Sequence, residues 1–66
     1  MQVWINGKTR ELAAASTLAT LLDELQVNRA QVAVEVNEQL VPRQQHGEFL
    51  LSDGDRLEIV TLVGGG

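Results

Sequence analysis

Gly64, Gly65 and Gly66 place three of the chain's six glycines together at its last positions. Glycine has no Cβ, so such a segment can thread a channel too narrow for side chains. Fully extended, three residues reach roughly 10 Å, enough to carry a carboxylate into the active site of another protein. A free carboxylate is a poor electrophile, because attack adds charge to a group that is already anionic. Adenylation with ATP removes that obstacle by converting one oxygen into a phosphate leaving group, and glycine crowds the attacked carbon least. The plainer alternative is a frayed end or a cloning remnant.

Other residue types that could do chemistry are sparse. His46 is the single histidine. It titrates in the useful range for acid–base work, but no cysteine or serine stands near it in sequence, and it reads as a loop residue. Asp53, Gly54 and Asp55 match only a fragment of a calcium-binding loop, and their composition is that of a turn. Asn6-Gly7 is a turn signal rather than a phosphate cradle, since no helix N-terminus follows it. The chain has no cysteine, hence no thiolate nucleophile and no disulfide.

Size and charge narrow the function further. A chain of 66 residues forms one small domain, and domains of this size bury only about 60% of their unfolded surface. Nearly every apolar side chain is needed for the core, which leaves little volume for an enclosed catalytic pocket. The net charge is −4, with nine acidic residues against five basic ones and no basic cluster. A nucleic acid or an anionic membrane is therefore disfavoured as a partner. A basic groove on another protein would attract the domain instead. No basic segment followed by an apolar run opens the sequence, and no apolar stretch nears the roughly 20 residues of a membrane span. A soluble, cytoplasmic protein without a bound metal or cofactor is expected.

The elements that would position the tail follow from hydrophobic periodicity. Val3 and Ile5 alternate with Gln2 and Trp4, and Asn6-Gly7 suits a hairpin turn with positive φ at both central residues. The return strand runs over 8–12. Leu18, Leu21, Leu22 and Leu25 then recur at helical spacing, preceded by Ser16 and Thr17 as candidate caps. Val32, Val34 and Val36 define a third strand. Asn37-Glu38 turns the chain, Leu40 and Val41 pair briefly, and 43–48 is expected to be irregular. Phe49, Leu50 and Leu51 are expected in the core, followed by a turn over 52–55. The last strand covers 56–63, with Leu57 and Ile59 facing inward.

In that last strand Val60 and Leu62 make the outer face apolar near the tail. Trp4 has the same outward parity on the neighbouring strand. Together Trp4, Val60 and Leu62 are the candidate partner interface, against the ordinary alternative of scattered surface apolarity. The fold class is α+β: one main helix packed on one face of a mixed sheet, with the first and last strands parallel at its centre. The ubiquitin-like β-grasp satisfies this order, giving a domain over 1–63 and a glycine tail over 64–66.

With those features in place the sequence resembles a known family. The segment Val36-Asn37-Glu38-Gln39-Leu40-Val41-Pro42-Arg43, the Asp53-Gly54-Asp55 turn and the terminal Val63-Gly64-Gly65-Gly66 are similar to the ThiS family of sulfur carriers in thiamin biosynthesis. The terminal diglycine is shared with ubiquitin-like proteins and with MoaD-type carriers of molybdopterin synthesis, so a MoaD-like carrier and a ubiquitin-like binding module with an inert tail remain as alternatives at this point. The resemblance implies that the Gly66 carboxylate is adenylated by a ThiF-like enzyme using ATP and magnesium, then converted to a thiocarboxylate with sulfur from a persulfide donor. A ThiG-like thiazole synthase would receive that sulfur. Gly65 shares the family role, while Gly64 occupies a position where relatives tolerate another small residue. On this reading the chain is a protein substrate, not an enzyme.

Overall fold

The computed structural model describes residues 1–62. β1 (Gln2–Ile5) and β2 (Lys8–Glu11) form an antiparallel hairpin. Its turn places Asn6 at φ 49° and Gly7 at φ 85°, the left-handed geometry whose twist matches that of the flanking strands. The main helix, α1 (Leu18–Glu24), begins at Thr17, whose side chain accepts a hydrogen bond from the Thr20 amide at 3.1 Å. Of the two candidate caps, Thr17 is thus the one used. Ser16 is buried and donates its hydroxyl to the Ala13 carbonyl at 2.6 Å.

The helix stops without a glycine. Gln26 adopts φ 59°, which lets the Gln26 and Val27 amides turn back onto the carbonyls of Asp23 and Leu22, each at 3.0 Å. Those two bonds satisfy carbonyls that the helix end would otherwise leave open. A 3₁₀ turn at Arg29–Gln31 then leads into β3 (Val32–Val36). Asn37 and Glu38, at φ 52° and 69°, reverse the chain into the two-residue β4 (Gln39–Leu40). The final strand is β5 (Arg56–Thr61).

The strands lie in the order β2-β1-β5-β3-β4. β1 and β5 are parallel neighbours, with Trp4 beside Arg56 and Ile5 beside Leu57, while every other pair is antiparallel. α1 covers one face: Leu18, Leu21 and Leu22 are buried with Val3, Val34, Val36 and Leu57. Leu25, the last residue of the expected stripe, is half-buried at the edge of this core.

Two expectations change. The polar stretch 43–48 is not wholly irregular: Arg43–Gln45 forms a 3₁₀ turn and His46 is only 1% exposed. Its Nε2 donates to the Val41 carbonyl at 3.0 Å, and its own carbonyl accepts from the Ala19 amide, so the residue ties this segment beneath α1. Leu51 enters the core as expected and Phe49 packs against it, but Leu50 is exposed and bridges Thr17 instead. Leu40 and Val41 pair briefly as expected: Leu40 lies opposite Glu35, and the Val41 amide donates to the Val34 carbonyl at 2.9 Å, with Val41 buried and Leu40 pointing to solvent. The end of the 1–63 domain and the tail 64–66 lie outside the described residues.

Candidate functional site

The root of the tail is β5, and the strand is held along its length from both sides. At its start the Arg56 amide donates to Asn37 Oδ1 at 3.0 Å, while the Arg56 carbonyl accepts from the Asn37 amide at 2.7 Å. Asn37 Nδ2 donates in turn to Asp55 Oδ1 at 3.0 Å. Midway, β1 has already ended, but the Asn6 side chain takes over its pairing. The Ile59 amide donates to Asn6 Oδ1 at 2.8 Å, and Asn6 Nδ2 donates to the Ile59 carbonyl at 3.2 Å. Past the strand, the Leu62 amide donates to the Gln31 carbonyl at 2.7 Å.

Both asparagines had been legible only as turn residues. Their second role depends on the amide group, which carries an acceptor and donors together and can therefore imitate a backbone peptide. Asparagine in the first position of each two-residue turn is the signal that was available. The acidic turn is structural in the same way: Asp53 Oδ1 accepts from the Gln2 amide at 2.7 Å and Asp55 Oδ2 from the Ser52 amide at 2.8 Å. Among the described residues there is no cluster of three or more side chains suited to a metal.

The candidate interface residues are exposed, with Trp4 at 37%, Val60 at 56% and Leu62 at 58%. The register divides them. Trp4 sits beside Arg56, whose guanidinium carbon lies 5.6 Å from the centre of the indole ring. Val60 is four residues further along β5, about 13 Å away at the usual strand rise, and opposite Ala33. Leu62 follows just beyond the strand. Val60 and Leu62 thus flank the tail root, and Trp4 marks the other end of the same outer face.

Between those ends Glu58 and Glu35 stand directly opposite one another, and Leu40 is paired beside Glu35. A groove of about 690 Å³ runs here, lined by Trp4, Arg56, Glu35, Glu38 and Glu58 among others. In sequence these glutamates carry no signal of their own, because one at a time they look like ordinary outward positions of half-buried strands. Gly64, Gly65 and Gly66 belong to the undescribed residues.

A mixed sheet in the order 2-1-5-3-4, with parallel β1 and β5 and one helix over a single face, is the ubiquitin-like β-grasp. The whole chain superposes on the crystal structure of the thiamine biosynthesis protein ThiS from Geobacter metallireducens with a TM-score of 0.85, at 32% identity and complete coverage of both chains. The sulfur carrier protein ThiS of Escherichia coli is 33% identical over 66 residues, the full length of both. A thiazole synthase of Paramagnetospirillum magneticum is 44% identical over 66 residues, and the chain spans 20% of that protein's length. The ThiS family model matches residues 3–66. The chain belongs to the ThiS family.

Proposed function

We propose that this chain is a sulfur carrier for thiazole formation in thiamin biosynthesis, with the carboxylate of Gly66 as the group that is modified. The observation that carries the reading is the family match, which runs from β1 through the terminal glycines. Adenylation of Gly66 by a ThiF-like enzyme, using ATP and magnesium, releases pyrophosphate and leaves an acyl-adenylate. The outer sulfur of a persulfide donor then displaces AMP to give an acyl disulfide, and a second thiol cleaves its S–S bond, releasing the thiocarboxylate and leaving the donor sulfur in a disulfide with that thiol. Gly65 and Gly64 give this end its slender approach to the partner's active site. The chain itself is a substrate in these steps.

A ThiG-like thiazole synthase is the recipient in this reading. The thiazole synthase from Paramagnetospirillum magneticum supports it, since a segment of that protein is 44% identical to the present chain. No helix among the described residues is long and apolar enough to cross a membrane, and a cytoplasmic setting, where ATP and persulfide donors are at hand, belongs to the same proposal. The acidic balance of the chain favours a protein partner with a basic docking surface over nucleic acid or an anionic membrane.

Intact-mass spectrometry tests the reading. Incubation with the adenylating enzyme, ATP, magnesium, a persulfide donor and a reducing thiol is expected to exchange one oxygen at Gly66 for sulfur, and deletion of Gly66 is expected to abolish the exchange while the melting temperature stays unchanged. A wild-type chain that never gains sulfur would overturn it.

A further inference from the structure

The outer face of the sheet carries a feature that folding alone does not explain. Glu35 on β3 and Glu58 on β5 are direct cross-strand partners. Residues paired in this way hold their Cβ atoms about 4.5–5.5 Å apart on one face, and like charges so placed destabilise the sheet. Glutamate is also poorly represented in strands. Neither carboxylate forms an ion pair within the described residues. Among the described residues the cation lining their groove is Arg56, and its guanidinium is stacked over Trp4. Glu38 lines the same groove, so among the described residues three glutamates share it with one arginine.

The surroundings of this pair are apolar and exposed. Leu40, 64% exposed, lies beside Glu35 in the same row, and Val60, 56% exposed, lies one outward position beyond Glu58 toward the tail. A bare anionic pair framed by exposed apolar side chains has the composition of a docking patch, in which a buried charge is made specific by an apolar surround that excludes water. The patch is continuous with the root of the tail through β5.

We propose that Glu35 and Glu58 together receive a cationic side chain, best an arginine, presented by the adenylating enzyme when it takes the glycine tail. A planar guanidinium offers donors to two carboxylates at once. The partner's charge relieves a repulsion that the free domain tolerates, so binding gains more than one ordinary surface ion pair would supply. Val60 and Leu62 then seat against apolar surface on the same partner. This inference rests on the carrier reading given above.

The test compares the full 66-residue chain with the double variant E35Q/E58Q, measuring affinity for the ThiF-like adenylating enzyme by calorimetry at about 0.05 M and about 0.5 M NaCl. Removal of a docked charge pair is expected to weaken binding about tenfold at low salt. The deficit shrinks at high salt, where screening acts over a few ångströms, and the melting temperature of the free variant stays level or rises. Equal affinity of the two chains at low salt would overturn the proposal. So would a loss of binding accompanied by a matching loss of thermal stability, which would mark the pair as structural. Wild-type self-association that the variant lacks would overturn it too, by assigning the face to a second copy. If the wild-type chain neither binds the enzyme nor gains sulfur, the carrier reading fails instead, a result distinct from every comparison between the two chains.

Discussion

The two faces of the sheet are built from the same strands and treated in opposite ways. On the inner face Val3, Val34 and Leu57 are at most 1% exposed under α1. On the outer face Val60 and Trp4 remain open, and Glu35 and Glu58 stand opposed with no ion pair to either among the described residues. β5 shows the contrast within one strand, since Leu57 is sealed and Glu58, its next neighbour, is bare. A half-covered antiparallel sheet ordinarily carries polar residues on its wet side. Here the wet side instead keeps apolar and like-charged groups that do little for the fold, which is the pattern of a surface shaped for something outside the domain.

The sharpest way to break this comparison is to damage the inner face. Leu22 is fully buried on α1, and Leu22→Ala is expected to cost about 2–5 kcal/mol through lost burial and the cavity left behind. Small domains have only about 5–15 kcal/mol in total, so a thermal melt should show a large fall. Chain that remains folded at low temperature should still accept sulfur at Gly66, because the outer face and the tail are untouched. A folded variant that has lost sulfur acceptance would show that the faces are not separable.

A smaller effect is expected where the two faces meet. Asn6→Gly preserves the left-handed turn but removes both side-chain bonds to the Ile59 peptide. These groups are exposed, so water replaces part of what is lost, and two ordinary hydrogen bonds contribute about 1–3 kcal/mol between them. Hydrogen exchange at the Ile59 amide should quicken more than exchange at Val34. Uniform acceleration across both would mean that Asn6 supports the whole fold rather than the root of the tail.

What could be read from the chain follows the same division. The inner face was legible because burial imposes a period: the leucine spacing of α1 and the alternation of β3 each name their buried side. The segment 41–51 has no period, and its polarity concealed the burial of His46, whose ring is hidden only because the turn at Arg43–Gln45 folds it back onto the Val41 carbonyl. Leu50 is illegible for the complementary reason. Three successive apolar residues give no face to choose between, and the bridge to Thr17 turns the middle one outward. At the site, exposure of Trp4, Val60 and Leu62 could be read from parity, whereas the separation of Trp4 from Val60 and the opposition of Glu35 to Glu58 needed the register of β1, β3 and β5. Those pairings join residues far apart in sequence, and local pattern carries no information about them.

The smallest effect on stability, with a disproportionate effect on binding, is expected at Leu62. Its side chain is 58% exposed, just past the end of β5, and only its backbone is engaged, through the amide bond to Gln31. Leu62→Asp leaves that bond in place and removes no core contact, so the melting temperature should correspond to a change within about 0.5 kcal/mol. Docking differs, because a desolvated carboxylate would have to sit against apolar partner surface at the root of the tail. Burying an uncompensated charge is costly enough that affinity for the adenylating enzyme should fall at least tenfold, about 1.4 kcal/mol or more. Added salt should not restore it, in contrast to the deficit expected of E35Q/E58Q, since the penalty lies in desolvation rather than in long-range charge. Equal losses of stability and affinity would place Leu62 with the core, and the division between a face made for folding and a face made for docking would then have to be drawn before β5 ends.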